Sequence, residues 1–200
     1  LKPDYGDIFL EKIKLTTLPI HERSRIGIGY LPQQTSIFRG LTVYENLLGI
    51  AQIVKKNANE QREIVEKLMA EFSITHLRDV KATALSGGER RRTEIARCLI
   101  NSPKVLLLDE PFANIDTSLK EELHKRIKDI LKEFNITTII VTHDSYEAFF
   151  MGDKCGILLN QSLKQYDVPY NIHHEPNSLE VAKFLNRGVF VDVKVVETDC

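Results

Sequence analysis

No apolar run in this 200-residue chain approaches the length of about 20 residues that a membrane-spanning helix needs. Any role at a membrane therefore calls for a partner subunit. No signal-peptide pattern is visible either. Cysteine is scarce: Cys98, Cys155 and Cys200 lie far apart and form no CxxC pair. That argues against a disulfide framework and a zinc site, and it fits a reducing compartment. Net charge is nearly absent. Lysine and arginine number 27 against 28 aspartates and glutamates, a formal charge of −1, so no overall field draws the chain to nucleic acid or anionic lipid. The basic run Arg90 to Arg92 has no interleaved aromatics, and a solvated helix face is the expectation for it.

What remains is an ordinary globular composition, 42% hydrophobic and 28% charged, suited to one domain with a small appendage. The stretch that organises it is LSGGERRRTEIARCLINSPKVLLLDEP, Leu85 to Pro111. Two glycines follow Ser86, so backbone can approach a ligand there with no Cβ in the way. A helix starts at once, and its unpaired N–H groups and positive dipole end face the same spot, which is a geometry for binding phosphate. After a turn at Pro103, the run Val105 to Leu108 suits a strand buried on both faces. It ends in Asp109 and Glu110, at the strand end where α/β sheets bind ligands. One carboxylate there can hold Mg²⁺ and the other can polarise a water. Taken singly, Ser-Gly-Gly is an ordinary turn into a helix, and an apolar run ending in Asp-Glu is an ordinary strand leaving the core. Their order in one stretch is the specific signal.

In these motifs the sequence resembles the ATP-binding subunit of ABC transporters. LSGGE, Leu85 to Glu89, matches the signature motif of that family, and VLLLDEP, Val105 to Pro111, matches its Walker B strand with the catalytic glutamate. The resemblance implies ATP and Mg²⁺ as ligands. Glu110 and His143 would be the catalytic residues. Gln33, Ser86, Gly87, Gly88, Glu89 and Asp116 would bind ATP, with Asp109 and Gln33 on Mg²⁺. Gln33 matches the Q-loop, FANID (Phe112 to Asp116) the D-loop with Asp116 as its acid, and His143 the switch histidine. Alone, Gln33 would be read as an exposed loop amide, and His143 as a local hydrogen-bonding residue. The implied partners are a second ATP-binding subunit and transmembrane permease subunits, with no nucleic acid, at the cytoplasmic face of the inner membrane. GYLPQQTSIFRGLTVYENL and EFSITHLRDVKATALSGGERRRTEIAR resemble lipopolysaccharide-export ATPases, whereas the tail from Thr142 resembles ferric-ion importer ATPases. The direction and identity of the cargo stay open on this reading.

The family's phosphate-cradling loop, GxxxxGK[ST], is not found in these residues. The pattern of Leu1 to Ile8 is the one that follows it in the family, so the expectation is an N-terminally truncated core. Without the loop's donors, the chain as written is not expected to turn over ATP detectably. A non-hydrolytic partner-binding module is the alternative reading. A DNA-repair or translation ABC protein fits less well, given no coiled-coil insertion, second cassette or basic tract.

The expected fold class is α/β, a P-loop NTPase-like ABC ATPase core with an inserted helical subdomain. Residues 1–34 and 85–167 form the core, 35–84 the helical subdomain, and 168–200 a C-terminal helix and the start of a regulatory domain. Thr42 caps one helix, a second carries Ile64, Val65, Leu68, Met69 and Phe72, and both pack by their apolar faces. Ile37, Phe38, Leu41 and Tyr44 are the candidates to meet a permease. Leu123, Ile127, Ile130 and Leu131 mark the inner face of a helix from Leu119 to Phe134, and Thr137 to Val141 reads as a buried strand. A hairpin turning at Asn160-Gln161-Ser162 follows. His173, His174 and Glu175 read as a loop before a helix, not as metal ligands.

Overall fold

The computed structural model describes residues 3–113, 115 and 117–186, with backbone alone for 117–119. Two compact units divide the chain, 1–143 and 144–200. The first begins with a small antiparallel hairpin, β1 (Phe9–Leu10) and β2 (Ile13–Lys14). A short helix follows, α1 (Ile20–Arg25), entered through Pro19. Sequence reading did not anticipate α1, because six residues carry too little periodicity to stand out from a loop.

The strand β3 (Ile28–Leu31) leads into the helical segment. There α2 (Val43–Val54) starts with a capping box. The Thr42 hydroxyl accepts from the Glu45 N–H, and the Glu45 carboxylate accepts from the Thr42 N–H, so two donors at the helix start are satisfied together. Next comes α3 (Ala58–Glu71), capped by Asn57. Val43, Leu47 and Ala51 of α2 meet Val65, Leu68 and Met69 of α3, all with no exposed surface. Two 3-10 turns, Thr75–Leu77 and Ala82–Ala84, bring the chain back.

The glycine-paved segment then forms α4 (Gly87–Leu99), which packs on β3, α2 and α3. After it come β4 (Val105–Asp109), α5 (Thr117–Glu133) and β5 (Thr137–Val141). The strands β3, β4 and β5 form one parallel sheet in that order. Gly27, at φ +102°, starts the β3–β4 pairing, and its carbonyl accepts from the Lys104 and Val105 N–H groups. An L side chain rarely adopts that backbone conformation. In the central strand Leu106 and Leu108 are fully buried. The inner face of α5 is the expected one, with Leu123, Ile127, Ile130 and Leu131 buried at steps of three and four.

β5 departs from the expectation of a buried strand. Its exposure alternates, and Ile139 and Val141 are 54% and 58% exposed. The cause is its place at the end of the sheet, paired on one side only among the described residues. Residue composition predicts a strand well but does not tell a central strand from an end one.

The second unit begins with α6 (Ser145–Met151), capped by the Asp144 carboxylate. A hairpin follows, β6 (Cys155–Leu159) and β7 (Ser162–Asp167), turning through Asn160 and Gln161, both at positive φ as a tight two-residue turn requires. Then come α7 (Pro169–His174) and α8 (Leu179–Phe184). Cys155, Ile157, Ile172, Val181 and Leu185 form this unit's core. His173 and His174 close α7 instead of preceding a helix. The anticipated first strand of a regulatory domain falls in 187–200, outside the described residues.

Leu68→Ala, which empties a fully buried site in α3, is expected to lower the unfolding free energy by about 2–5 kcal/mol. Ile53→Ala, at an exposed position of α2, should change it by less than about 0.5 kcal/mol. Urea denaturation of the two variants beside the parent checks both values.

Candidate functional site

The sheet register brings the candidate residues together. Leu31 lies opposite Leu108, and Asp109 lies opposite Val141. Because the three strands are parallel, Pro32-Gln33, Glu110-Pro111 and Thr142-His143 all leave the same end of the sheet. That carboxyl end is where open α/β folds hold their ligands. Gln33 is exposed in the loop directly after β3, as is Gln34.

At the tip of β4, Glu110 is held in the left-handed region at φ 45°, a conformation that costs a non-glycine residue about 1–3 kcal/mol unless the surroundings enforce it. Here they do. The Glu110 N–H donates to the Val141 carbonyl at 2.8 Å, and the Glu110 carbonyl accepts from the Ala113 N–H at 3.2 Å. The side chain is only 13% exposed and meets His143 twice. Its Oε1 accepts from the His143 backbone N–H at 3.0 Å and lies 2.8 Å from Nδ1 of the ring. A carboxylate oxygen can only accept, so this contact needs the proton on Nδ1. The imidazole itself is 83% exposed. Carboxylate and histidine thus form a joined pair, with the carboxylate sheltered and the ring open to solvent. After Pro111 the chain is pinned by buried Phe112, which packs edge-on against His124 of α5 with ring centres 4.1 Å apart.

The start of α4 carries the other candidate residues, Ser86 to Glu89. Ser86 is the N-cap, and its N–H and hydroxyl both donate to Glu89 Oε2 at 2.8 Å, while its hydroxyl accepts from the Glu89 N–H at 3.4 Å. These bonds from Ser86, the backbone one foremost, hold the Glu89 carboxyl below its ordinary range, with nearby Arg92 and His76 helping. Gly87 is exposed and Gly88 half-buried, so the first helical amides are reachable by an anion.

One component escaped sequence reading. Arg91 is not part of a solvated face but is buried, and all five of its N–H groups have acceptors. Nε donates to the Pro111 carbonyl at 2.7 Å. Nη1 donates to Pro32 at 3.1 Å and to Glu94 Oε2 at 3.2 Å. Nη2 donates to Asp109 at 2.9 Å and Glu110 at 3.1 Å. Glu94 in turn accepts the Ser36 and Ile37 N–H groups on its other oxygen at 2.7 and 3.1 Å. The missed signal was positional: Arg91 shares the inward stripe of α4 with Glu94, Ile95 and Leu99, while Arg90 and Arg92 flank it. On the same helix, burial pushes the Cys98 thiol up to about 11, and it donates to the Tyr30 carbonyl. Of the candidate permease contacts, Ile37 is buried and so not available for one, whereas Phe38 and Leu41 are 49% and 39% exposed and Tyr44 lies beneath the Arg78 guanidinium. Asp116 lies outside the described residues.

The donor set suits MgATP. Asp109 and Gln33 supply hard oxygens at one sheet end, and the glycine-paved helix start supplies amides for phosphate. Among the described residues, no group of three His, Cys, Asp or Glu is arranged to hold a metal. A magnesium ion carried with a nucleotide does not need such a cage, since phosphate and water complete its shell.

A parallel sheet with acids and a histidine at its carboxyl end, and a glycine-paved helix start beside it, defines a nucleotide-binding α/β protein. The ABC transporter family model matches residues 1–113. The chain is 43% identical over 170 residues to the lipopolysaccharide export system ATP-binding protein LptB of Escherichia coli K12, covering 84% of this chain and 70% of that one. To LptB of Acidithiobacillus ferridurans it is 40% identical over 176 residues, 88% of this chain and 73% of that one. It resembles an ATP-binding cassette solved as a post-hydrolysis dimer bound to ADP and Pi, with TM-score 0.73, 26% identity, and 84% and 75% of the two chains covered. It also resembles the ADP conformation of an ATP-binding cassette of an ABC transporter, with TM-score 0.75, 25% identity, and 92% and 78% covered. The chain belongs to the ABC transporter family, as an ATP-binding subunit of the kind that hydrolyses ATP to drive transport. Nothing in these likenesses favours the non-hydrolytic module. Among the described residues no helix is long and apolar enough to cross a membrane.

The depressed Glu89 carboxyl carries a pH dependence. Because its folded value lies below the ordinary 4.5, the bonds to Ser86 stabilise the fold fully above that value and are lost as pH falls through the folded one. The stability gap between the parent and Glu89→Ala is expected to be constant near neutrality and to close in acid below about 4.5. Denaturation midpoints across that range measure it.

Proposed function

We propose that two copies of this subunit close on MgATP, and that each site joins the sheet end of one copy to the helix start of the other. The observation that carries this reading is the shared exit of Gln33, Asp109, Glu110 and His143 from adjacent parallel strands, with Glu110 bonded to His143. Asp109 and Gln33 would hold Mg²⁺, which when bound neutralises phosphate charge. Ser86, Gly87 and Gly88 offer their amides to the phosphates of the facing copy, with Glu89 keeping Ser86 in place. Asp116 acts between the copies.

Glu110 is the general base. Its Oε1 is engaged by His143, so the second carboxylate oxygen takes the proton of the attacking water. Its burial within the strand tip keeps it pointed at that water, and its left-handed backbone is part of the aim. His143 steadies Glu110 through Nδ1, and its solvent-exposed ring contacts the γ-phosphate. The 35–84 segment meets the permease, with Phe38 and Leu41 as its exposed apolar contacts. Residues 1–34 and 85–167 are the ATPase core, at the cytoplasmic face of the inner membrane.

The transporter served is of the lipopolysaccharide-export type. A match covering 88% of the chain necessarily runs through residues 142–174, the first part of the tail from Thr142 that otherwise suggested a ferric-ion importer. This supports one lineage as far as residue 174.

Glu110→Gln in the full-length protein should lower kcat by about 10²–10⁴-fold while MgATP still binds. Steady-state phosphate release and calorimetric titration with MgATP measure the two. Turnover at the parental rate in this variant overturns the reading. Phe38→Ala should weaken copurification with the permease subunits while ATP binding is kept.

A further inference from the structure

The five N–H bonds of Arg91 do more than satisfy a buried charge. They reach the loop that carries Gln33, through Pro32, and three successive carbonyls of the strand tip, Asp109, Glu110 and Pro111. Through Glu94 the same ion pair grips the Ser36 and Ile37 amides, where the chain enters the helical segment. The side chains of Arg91 and Glu94 are 7% and 2% exposed, so the bonds form in a low-dielectric setting where each is firm. Arg91 lies within two turns of Ser86 on α4. The helix that starts at Ser86 and the tip that sets the Glu110 backbone are therefore joined through one side chain.

We propose that Arg91 is a positioning residue for hydrolysis. Anchored by Glu94, it holds the strand tip and the Gln33 loop in one rigid frame with the glycine-paved helix start. This rests on Glu110 acting as the base. The guanidinium does not touch the reacting atoms. It fixes the Glu110 carbonyl, and hence the left-handed turn that aims the carboxylate, and it fixes the spacing between that carboxylate and Gln33. A lysine can keep the ion pair with Glu94 but has a single nitrogen, and it cannot span the three tip carbonyls and Pro32 at once. Misplacing a catalytic group by an ångström costs about 10²-fold in rate.

The test compares the parent, Arg91→Lys, the Arg91→Met/Glu94→Met double variant and Glu110→Gln in the full-length protein, reading kcat, KM for MgATP and thermal midpoint. The double variant removes both buried charges together, which favours folding, and leaves the tip carbonyls without their clamp. Arg91→Lys and the double variant are each expected to lose about 10²-fold in kcat with KM for MgATP little changed. That is the split expected of a group acting on the transition state and not on binding. Parental kcat in either folded variant overturns the proposal. So does a loss that tracks the folded fraction, a loss matched by an equal rise in KM, or failure of both variants to fold, since each describes a merely structural pair. Glu110→Gln separates the two levels. If it keeps turnover, the base assignment itself fails. If it loses turnover while Arg91→Lys keeps it, only the positioning role fails.

Discussion

A guanidinium buried among four backbone carbonyls and one carboxylate is the constraint on which the site depends. Such a charge is tolerable only when every donor is met. Arg91 achieves this by drawing together segments far apart in sequence, from Pro32 to Pro111. Removing one member of a buried pair typically costs ~3–5 kcal/mol, because the other is left charged and unpaired. The arrangement is therefore fixed in an all-or-none way: either the loop after β3, the tip of β4 and α4 are in register, or the ion pair is broken. A larger polar skeleton continues from it. Arg97 donates to the Ser36 carbonyl and hydroxyl and lies over the Phe38 ring, and buried Asn46 binds both the N–H and the carbonyl of Phe38. The exposed aromatic at the proposed permease face is thus joined, by hydrogen bonds and packing, to the helix that carries the signature glycines.

Much of this fold could be read from residue order. The capping boxes at Thr42 and Ser86, the stripe of α5 and the hairpin at Asn160-Gln161 are local features, written in a few neighbouring residues. What escaped was set by distant contacts. β5 carries β-branched residues fit for a central strand, yet its exposure depends on which strands flank it. Helix α1 has no pattern of its own and exists because Pro19 and its neighbours turn the chain into it. The burial of Arg91 depends on carbonyls from residues 18 or more positions away, beyond the span of any single local pattern.

The candidate site residues could be picked out for a different reason. Gln33, Glu110 and His143 were picked out by motif, but their proximity follows from plain sheet geometry: parallel strands in register deliver their next residues to one place. The Glu110–His143 pairing could not be read from spacing, because it relies on the left-handed turn at Glu110, and nothing in DEP announces that. The Glu89 carboxyl, by contrast, was predictable in kind, since a serine cap followed three residues later by glutamate is a reciprocal lock wherever it opens a helix.

The half-buried Cys98, with its raised thiol, has a practical corollary. With its thiol near 11, only about 10⁻⁴ of it is thiolate at neutral pH, and thiolate is the species that alkylating agents and peroxides attack. The signature helix is therefore chemically quiet despite carrying a sulfur. A cysteine introduced at an exposed position, with an ordinary thiol, therefore reacts with a maleimide far faster than Cys98 does, which is what following the closing of two subunits by fluorescence requires of this helix.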